Sequence, residues 1–251
     1  MISERQLARG FAAKWQEWAP NFDAAFLSDV GSPAGPCARF SRRWVGPMDE
    51  TGSTRFNDLI AEVAFGLFSQ CLESGSRPDN LPPETRSVIF ERAAARIAVL
   101  RRTRADLCSQ LNSRSVGEAE QLALRLLEYF KVWVGTAEIQ PLLAGVGILN
   151  SCHPDLIYGD AIVEIKMGIS PFRCGDIRQL LIYCALVRHT EPERHIRRLC
   201  LVNPRRGVAW EFPLEALIQV IAGNCVQDFF REILEFLCGE GPAGLGWNEG
   251  A

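Results

Sequence analysis

Lysine and histidine are scarce in this chain of 251 residues, which contains three of each beside 24 arginines. None of the three lysines follows a glycine, so there is no P-loop, and an ATP-driven motor would have to be another protein. Three histidines disfavour a metal site built from imidazoles. The H-E-x-x-H and G-x-S-x-G patterns are also absent, which excludes the common zinc-protease and serine-hydrolase motifs.

The sequence also lacks any apolar run near the roughly 20 residues that span a membrane, and no leader pattern marks it for secretion. Its nine cysteines form no C-x-x-C pair, which disfavours a zinc knuckle and predicts reduced, mostly buried thiols. An iron–sulfur cluster bound through widely spaced cysteines stays open. These features predict a cytoplasmic protein with no membrane partner.

Hydrophobic residues make up 47% of the chain, enough for a sizeable core, and the formal net charge is −3. This charge is not typical of a protein that coats nucleic acid, although local arginine clusters can bind phosphate. Composition divides the chain into a mostly helical region at 1–112, a mixed region at 113–238 and a flexible Gly-rich tail at 239–251.

Helical and strand patterns follow one another in an order typical of an α/β protein. In the first region, helices are predicted at Glu4–Trp18, Asn21–Leu27, Thr54–Cys71 and Glu84–Leu111, with a loop at 31–53. In the second, the order is a helix at 115–134, a strand near Thr136–Gln140, a hairpin, a helix at Arg173–Arg188, strands at Ile196–Val202 and Val208–Phe212, and a helix to Cys238 with a break near Gly223.

The stretch from Pro154 to Lys166 has the pattern of a tight β-hairpin. Two short β-prone runs flank Gly159-Asp160, and glycine at the first central position suits a type II′ turn. In such a hairpin Tyr158 faces Ala161, which fixes the register of the two strands.

This register brings three charged side chains together. It sets Asp155 opposite Glu164, and the alternation of side chains puts Lys166 on the same face as Glu164. Opposed carboxylates destabilise a strand pair, but a cation such as Mg²⁺ or Mn²⁺ between them would bind their oxygens. Lys166 could then polarise a water or stabilise charge on a phosphate. The alternative is an ordinary charged strand, since acid-x-Lys alone is weak evidence.

Pro154-Asp155, followed by Glu164-Ile165-Lys166, resembles the motif of the PD-(D/E)XK nuclease superfamily. The later Gln179-Leu-Leu-Ile-Tyr183 resembles the Q-x-x-x-Y motif of its RecB-like branch. The resemblance covers residues 113–238 and implies a restriction-endonuclease-like mixed sheet flanked by helices. It implies that Asp155, Glu164 and the Ile165 carbonyl bind the metal, that Lys166 is the catalytic lysine, and that Gln179 and Tyr183 orient the site or contact the substrate backbone.

Related nucleases carry a further acid on the helix before the first strand. Glu120 lies at the edge of the apolar stripe of that helix, within a Gly-x-x-Glu arrangement, and we expect it to bind the metal; the alternative is a solvent-boundary carboxylate. Glu118 is expected to cap the helix, and Asp176 to favour the start of a later one. His153 and Arg178 are candidates for contacting the substrate, with a structural role as the alternative for His153.

The sequence therefore predicts a Mg²⁺- or Mn²⁺-dependent nuclease that cuts DNA in preference to RNA and, by analogy, acts in repair, restriction or antiphage defence. A partner protein would supply any ATPase or activation, and the oligomeric state stays open. The alternative is a catalytically silent fold of the same type that binds nucleic acid or serves in assembly. The intact Asp155, Glu164 and Lys166 set favours the enzyme.

Overall fold

A computed structural model describes residues 1–22, 39–48, 57–103 and 107–239. These residues form eight α-helices and six β-strands, which confirms the α/β class. The helices are α1 (Glu4–Gly10), α2 (Ala12–Trp18), α3 (Asn57–Ser74), α4 (Pro83–Leu100), α5 (Ser113–Phe130), α6 (Cys174–Thr190), α7 (Leu214–Ala222) and α8 (Val226–Cys238). The strands are β1 (Ser41–Arg43), β2 (Ala137–Ile139), β3 (Leu156–Tyr158), β4 (Ala161–Ile165), β5 (Arg198–Asn203) and β6 (Val208–Pro213).

The strands form one mixed sheet in the order β1-β6-β5-β4-β3-β2. β4 and β5 run parallel and are joined through α6, because parallel neighbours need a crossover connection. The other neighbours are antiparallel. β3 and β4 form the predicted hairpin, with Tyr158 opposite Ala161 and Gly159 in the turn at a φ of 58°. The predicted register is therefore confirmed.

Helices cover both faces of the sheet, and the alternation along the hairpin separates two cores. Leu156 and Val163 face the core that contains α3, α4 and α5. Ile157 and Ile162 face the core formed with α1, α2, α6, α7 and α8. Every residue of β4 is buried as a result, so Glu164 lies inside the protein.

The region before residue 113 belongs to the same layers. α1 packs on α6, α3 packs on α5, and β1 pairs with β6 at the edge of the sheet. The prediction of a loop at 31–53 is wrong for Ser41–Arg43, which form β1. Its three side chains are exposed and show no alternation, and the strand exists because its backbone pairs with β6.

Several predicted helix bounds also change. The helix predicted at Glu4–Trp18 is divided at Phe11 into α1 and α2, and the one predicted to reach Leu111 ends at Leu100, just before Arg102, whose φ is positive. The predicted break at Gly223 is confirmed. Thr54, residues 23–27 and the tail beyond Gly239 lie outside the described residues. No helix in the described ranges is long and apolar enough to cross a membrane.

Candidate active site

The hairpin sets Asp155 beside Glu164 at the end of the β3–β4 pair. Leu156 and Val163 are the last registered pair, and the next pair outward would be the two acids. Asp155 Oδ2 accepts a hydrogen bond of 2.7 Å from the Ile165 N–H. On the other side, the Lys166 N–H donates to the Val202 carbonyl over 2.8 Å. The acid-x-Lys segment is thus held between two neighbouring strands.

The Lys166 ammonium lies among three oxygen atoms from different side chains. It donates to Glu164 Oε1 over 2.8 Å and to Gln179 Oε1 over 3.1 Å, and it is 3.4 Å from Asp176 Oδ1. Burial lowers the pKa of Lys166, but Glu164 and Asp176 outweigh burial, and the pKa ends above its usual value. Lys166 is therefore charged at neutral pH and can stabilise negative charge, whereas a base would need a neutral amine.

The two acids of the hairpin lie in an environment that disfavours their negative charge. Burial and the nearby Glu164 raise the pKa of Asp155, against the opposing effects of the Ile165 N–H, Lys166 and Arg5. Glu164 is only 4% exposed, and its Oε2 has no hydrogen-bond partner among the described residues. A buried carboxylate oxygen without a partner is costly, so this atom marks where a cation would stabilise the fold most.

These donors fit a hard divalent cation. Mg²⁺ keeps several waters and usually binds proteins through one or two carboxylates together with substrate phosphate. Asp155 and Glu164 supply that number. In the described part of the chain, no three or more His, Cys, Asp or Glu side chains come together in a group that could hold a metal ion.

Gln179 and Tyr183 lie on one face of α6, as predicted, and both are buried. The Gln179 amide oxygen accepts from Lys166 over 3.1 Å. Its Nε2 donates to Tyr183 Oη over 2.7 Å and to Glu4 Oε1 over 3.3 Å. An amide in which one end donates and the other accepts has a defined orientation. Glu4 and Tyr183 therefore keep the Gln179 oxygen turned toward Lys166.

The charged cluster lies in a cleft of about 440 Å³ between α1 and the α3–α4 pair. Sequence reasoning missed Glu4 and four charged side chains that line the cleft from outside the motif: Arg5, Arg9, Glu62 and Arg173. Arg96, a member of one of the arginine clusters of the sequence, also lines it. Arg5 and Arg9 are four residues apart, a spacing that places them on one helix face. No local sequence pattern indicates that Glu62 would line the cleft. It is paired with Arg96 over 2.8 Å.

Three predicted site residues do not line the cleft. Glu120 forms an ion pair with Arg86 of α4 and does not line the cleft. The side of α5 that carries Glu120 faces α4 instead. Arg178 lies over the rings of Trp15 and Phe22, which turns it toward the core around α2. His153 is exposed, and its Nδ1 is 2.9 Å from the Gln140 carbonyl. This contact holds two neighbouring loop segments together.

Two further acids have contacts that differ from the predicted ones. The predicted cap role of Glu118 is wrong: Asn112 caps α5 by accepting from the Ser115 N–H. Glu118 is instead buried and paired with Arg205, whose Nε donates to the Met167 carbonyl over 2.8 Å. Asp176 accepts from the Arg173 N–H as a helix-start residue should, and it also faces Lys166.

No model of a known protein family matches the chain, and no curated protein matches it. Function therefore has to be inferred from the fold and from the side chains of the cleft.

Proposed function

We propose that the protein is a metal-dependent nuclease of the PD-(D/E)XK type, with the RecB-like Gln and Tyr pair. The order of elements supports this proposal. From α5 onward the chain runs helix, three strands, helix, strand, and β2-β3-β4-β5 are adjacent in the mixed sheet. This is the connectivity that the resemblance implies for a restriction-endonuclease-like fold.

The convergence of Asp155, Glu164, Lys166 and Gln179 in one cleft is the observation that carries the proposal. Three of these residues are close in sequence, but Gln179 comes from a different element and reaches Lys166 directly. A charged strand without function would not need a partly buried lysine held by a carboxylate and an amide. Nor would it need a buried acid opposite a partly buried one, a pairing that is unfavourable without a cation.

Asp155 and Glu164 would hold the cation, with the Ile165 carbonyl as the expected third ligand. A bound Mg²⁺ or Mn²⁺ would lower the pKa of a water and neutralise charge on the scissile phosphate. Lys166 would donate to a phosphate oxygen as negative charge develops there. Gln179 would aim Lys166, and Glu164 and Asp176 would keep it protonated. Tyr183 is buried, and burial raises its pKa, so it orients Gln179 as a neutral hydroxyl that accepts from Nε2.

DNA is the proposed substrate in preference to RNA, with repair, restriction or antiphage defence as the proposed setting. The test is cleavage of single-stranded and double-stranded DNA and RNA by the purified protein with Mg²⁺ or Mn²⁺. We expect Lys166→Ala and Asp155→Ala to abolish cutting. Lys131→Ala is the matched control, because Lys131 is exposed and pairs only with Glu128 in the described residues.

Each outcome of this experiment separates one explanation from the others. Cutting that survives both site variants would mean a contaminant or a different site. Calorimetry with millimolar Mg²⁺ or Mn²⁺ distinguishes the remaining cases. Metal binding without cleavage would indicate a missing activating partner, whereas no metal binding would favour the catalytically silent module.

A further inference from the structure

Three arginines on one side of the cleft have guanidinium groups with few partners in the protein. The side chains of Arg9 and Arg173 form no ion pair among the described residues. Arg5 is 66% exposed and pairs only with its neighbour Glu4, over 3.7 Å. All three line the cleft that holds Asp155 and Glu164. Other arginines nearby differ, since Arg96 is paired with Glu62 and Arg86 with Glu120.

Arg5 and Arg9 lie on a helix that is fixed to the rest of the molecule. α1 begins with a capping box between Ser3 and Gln6, and Glu4 accepts a hydrogen bond from Gln179 of α6. The side chain of Arg9 also reaches α6, because a Cβ added to Gly175 would lie 3.3 Å from its Cγ. Arg9 therefore lies next to the start of α6, where Arg173 is, and Arg5 lines the same cleft one turn earlier on α1.

The charges around the reacting position make such a group necessary for any polyanionic ligand. Asp155, Glu164, Asp176 and Glu62 all line the same cleft, and a phosphate chain would be repelled by them. Arginine binds phosphate through paired N–H groups and keeps its charge at any working pH. The guanidinium groups of Arg9 and Arg173 can make these contacts without first breaking an ion pair, and Arg5 would give up only its long contact with Glu4.

The opposite wall of the cleft differs in chemistry. Phe65 of α3 is partly exposed there, and Leu100 at the end of α4 is 70% exposed. A single strand has phosphates on one side and unstacked bases on the other, and its bases bind to aromatic and apolar side chains. A duplex presents mainly phosphates on its outer surface and keeps its bases stacked.

We propose that Arg5, Arg9 and Arg173 form a phosphate-binding subsite for a single polynucleotide strand, with its bases against Phe65 and Leu100. This inference deepens the proposed nuclease function, on which it rests, and names its substrate as single-stranded. It makes α1 part of the substrate-binding site.

The test measures binding without cleavage. A fluorescently labelled oligothymidine and a duplex of the same length are titrated with full-length protein in EDTA, and anisotropy is followed at several salt concentrations. We expect Arg9→Gln with Arg173→Gln to weaken oligothymidine binding at least tenfold. We also expect the slope of log affinity against log salt to fall by about 0.7 for each phosphate that an arginine no longer neutralises.

Arg231→Gln is the matched control, because Arg231 is exposed on α8 and does not line the cleft. Wild-type protein that does not bind oligothymidine, unchanged binding by the double variant, or an equal loss in Arg231→Gln would each overturn the subsite. Tighter binding of the duplex would overturn the choice of a single strand. Arginine-dependent binding by a protein that neither cuts nor binds Mg²⁺ or Mn²⁺ would uphold the subsite and reject the nuclease.

Discussion

The hairpin and helix α1 meet at the same cleft, but they are held in the molecule in different ways. β4 is paired on both sides and buried along its whole length. α1 is a seven-residue helix with two buried residues, Leu7 and Ala8. Glu164, which is proposed to hold the cation, therefore lies on a strand with neighbours on both sides, whereas Arg5 and Arg9, which are proposed to bind phosphate, lie on a short helix that is anchored on one side.

The largest expected effect is a loss of catalytic activity when the hairpin is changed. Glu164→Gln removes the charge that would hold the cation, and we expect kcat to fall by a factor of about 100 or more. Oligothymidine affinity in EDTA should stay within about twofold, since the arginines are unchanged. Glu128→Gln, an exposed change on α5, is the control. Full activity in Glu164→Gln would contradict the assignment of the hairpin.

Hydrogen exchange measures directly how differently α1 and β4 are held in the fold. We expect backbone amides of α1 to exchange about 100-fold faster than those of β4, because short, one-sided elements open locally while central strands open only with the whole fold. The measurement is exchange followed by mass spectrometry on peptides that cover residues 4–10 and 161–165. Equal protection of both peptides would mean that α1 and the sheet form one cooperative unit.

Glu4 tests whether α1 also affects the chemistry. Glu4→Leu removes the acceptor that helps to hold the Gln179 amide, and we expect about a tenfold lower kcat, on the order of one hydrogen bond, with KM nearly unchanged. Glu4→Gln should restore most of the activity, because its amide oxygen can accept from Gln179. A change in KM alone, or no rescue by Glu4→Gln, would assign Glu4 a purely structural role.

The smallest expected effect concerns stability in the absence of metal. The raised pKa of Asp155 means that the folded state holds its proton more tightly than the unfolded state. Stability is therefore lost as the pH rises from the ordinary aspartate pKa of 3.8 through the raised value. In EDTA we expect Asp155→Asn to melt about 3 °C above the wild type at pH 8, with the gap closing at pH 4. An equal gap at both pH values would contradict the unfavourable pairing of Asp155 with Glu164.

The site could be predicted where its geometry is local. The two-residue turn at Gly159 fixes which residues face each other, so the facing of Asp155 and Glu164 followed from alternation alone. The helical spacing of Gln179 and Tyr183 put them on one face in the same way. The metal and the reaction assigned to these residues stay predictions.

The parts of the site and of the fold that could not be predicted depend on how segments distant in the sequence pack together. Glu120 has the spacing of a site acid, but α4 brings Arg86 against it, and no local pattern encodes that contact. Glu62 lines the cleft only because α3 packs on α5. The β1 strand likewise forms because β6 offers an open edge.

The contact between Glu4 and Gln179 joins residues separated by 175 positions. During synthesis Glu4 is made before Gln179 and remains without this partner for about 9–35 s at the usual 5–20 residues per second. A growing chain therefore holds the arginines of α1 long before α6 can orient Lys166. An enzyme arranged in this way would begin to cut only after α6 had been made and had packed against α1.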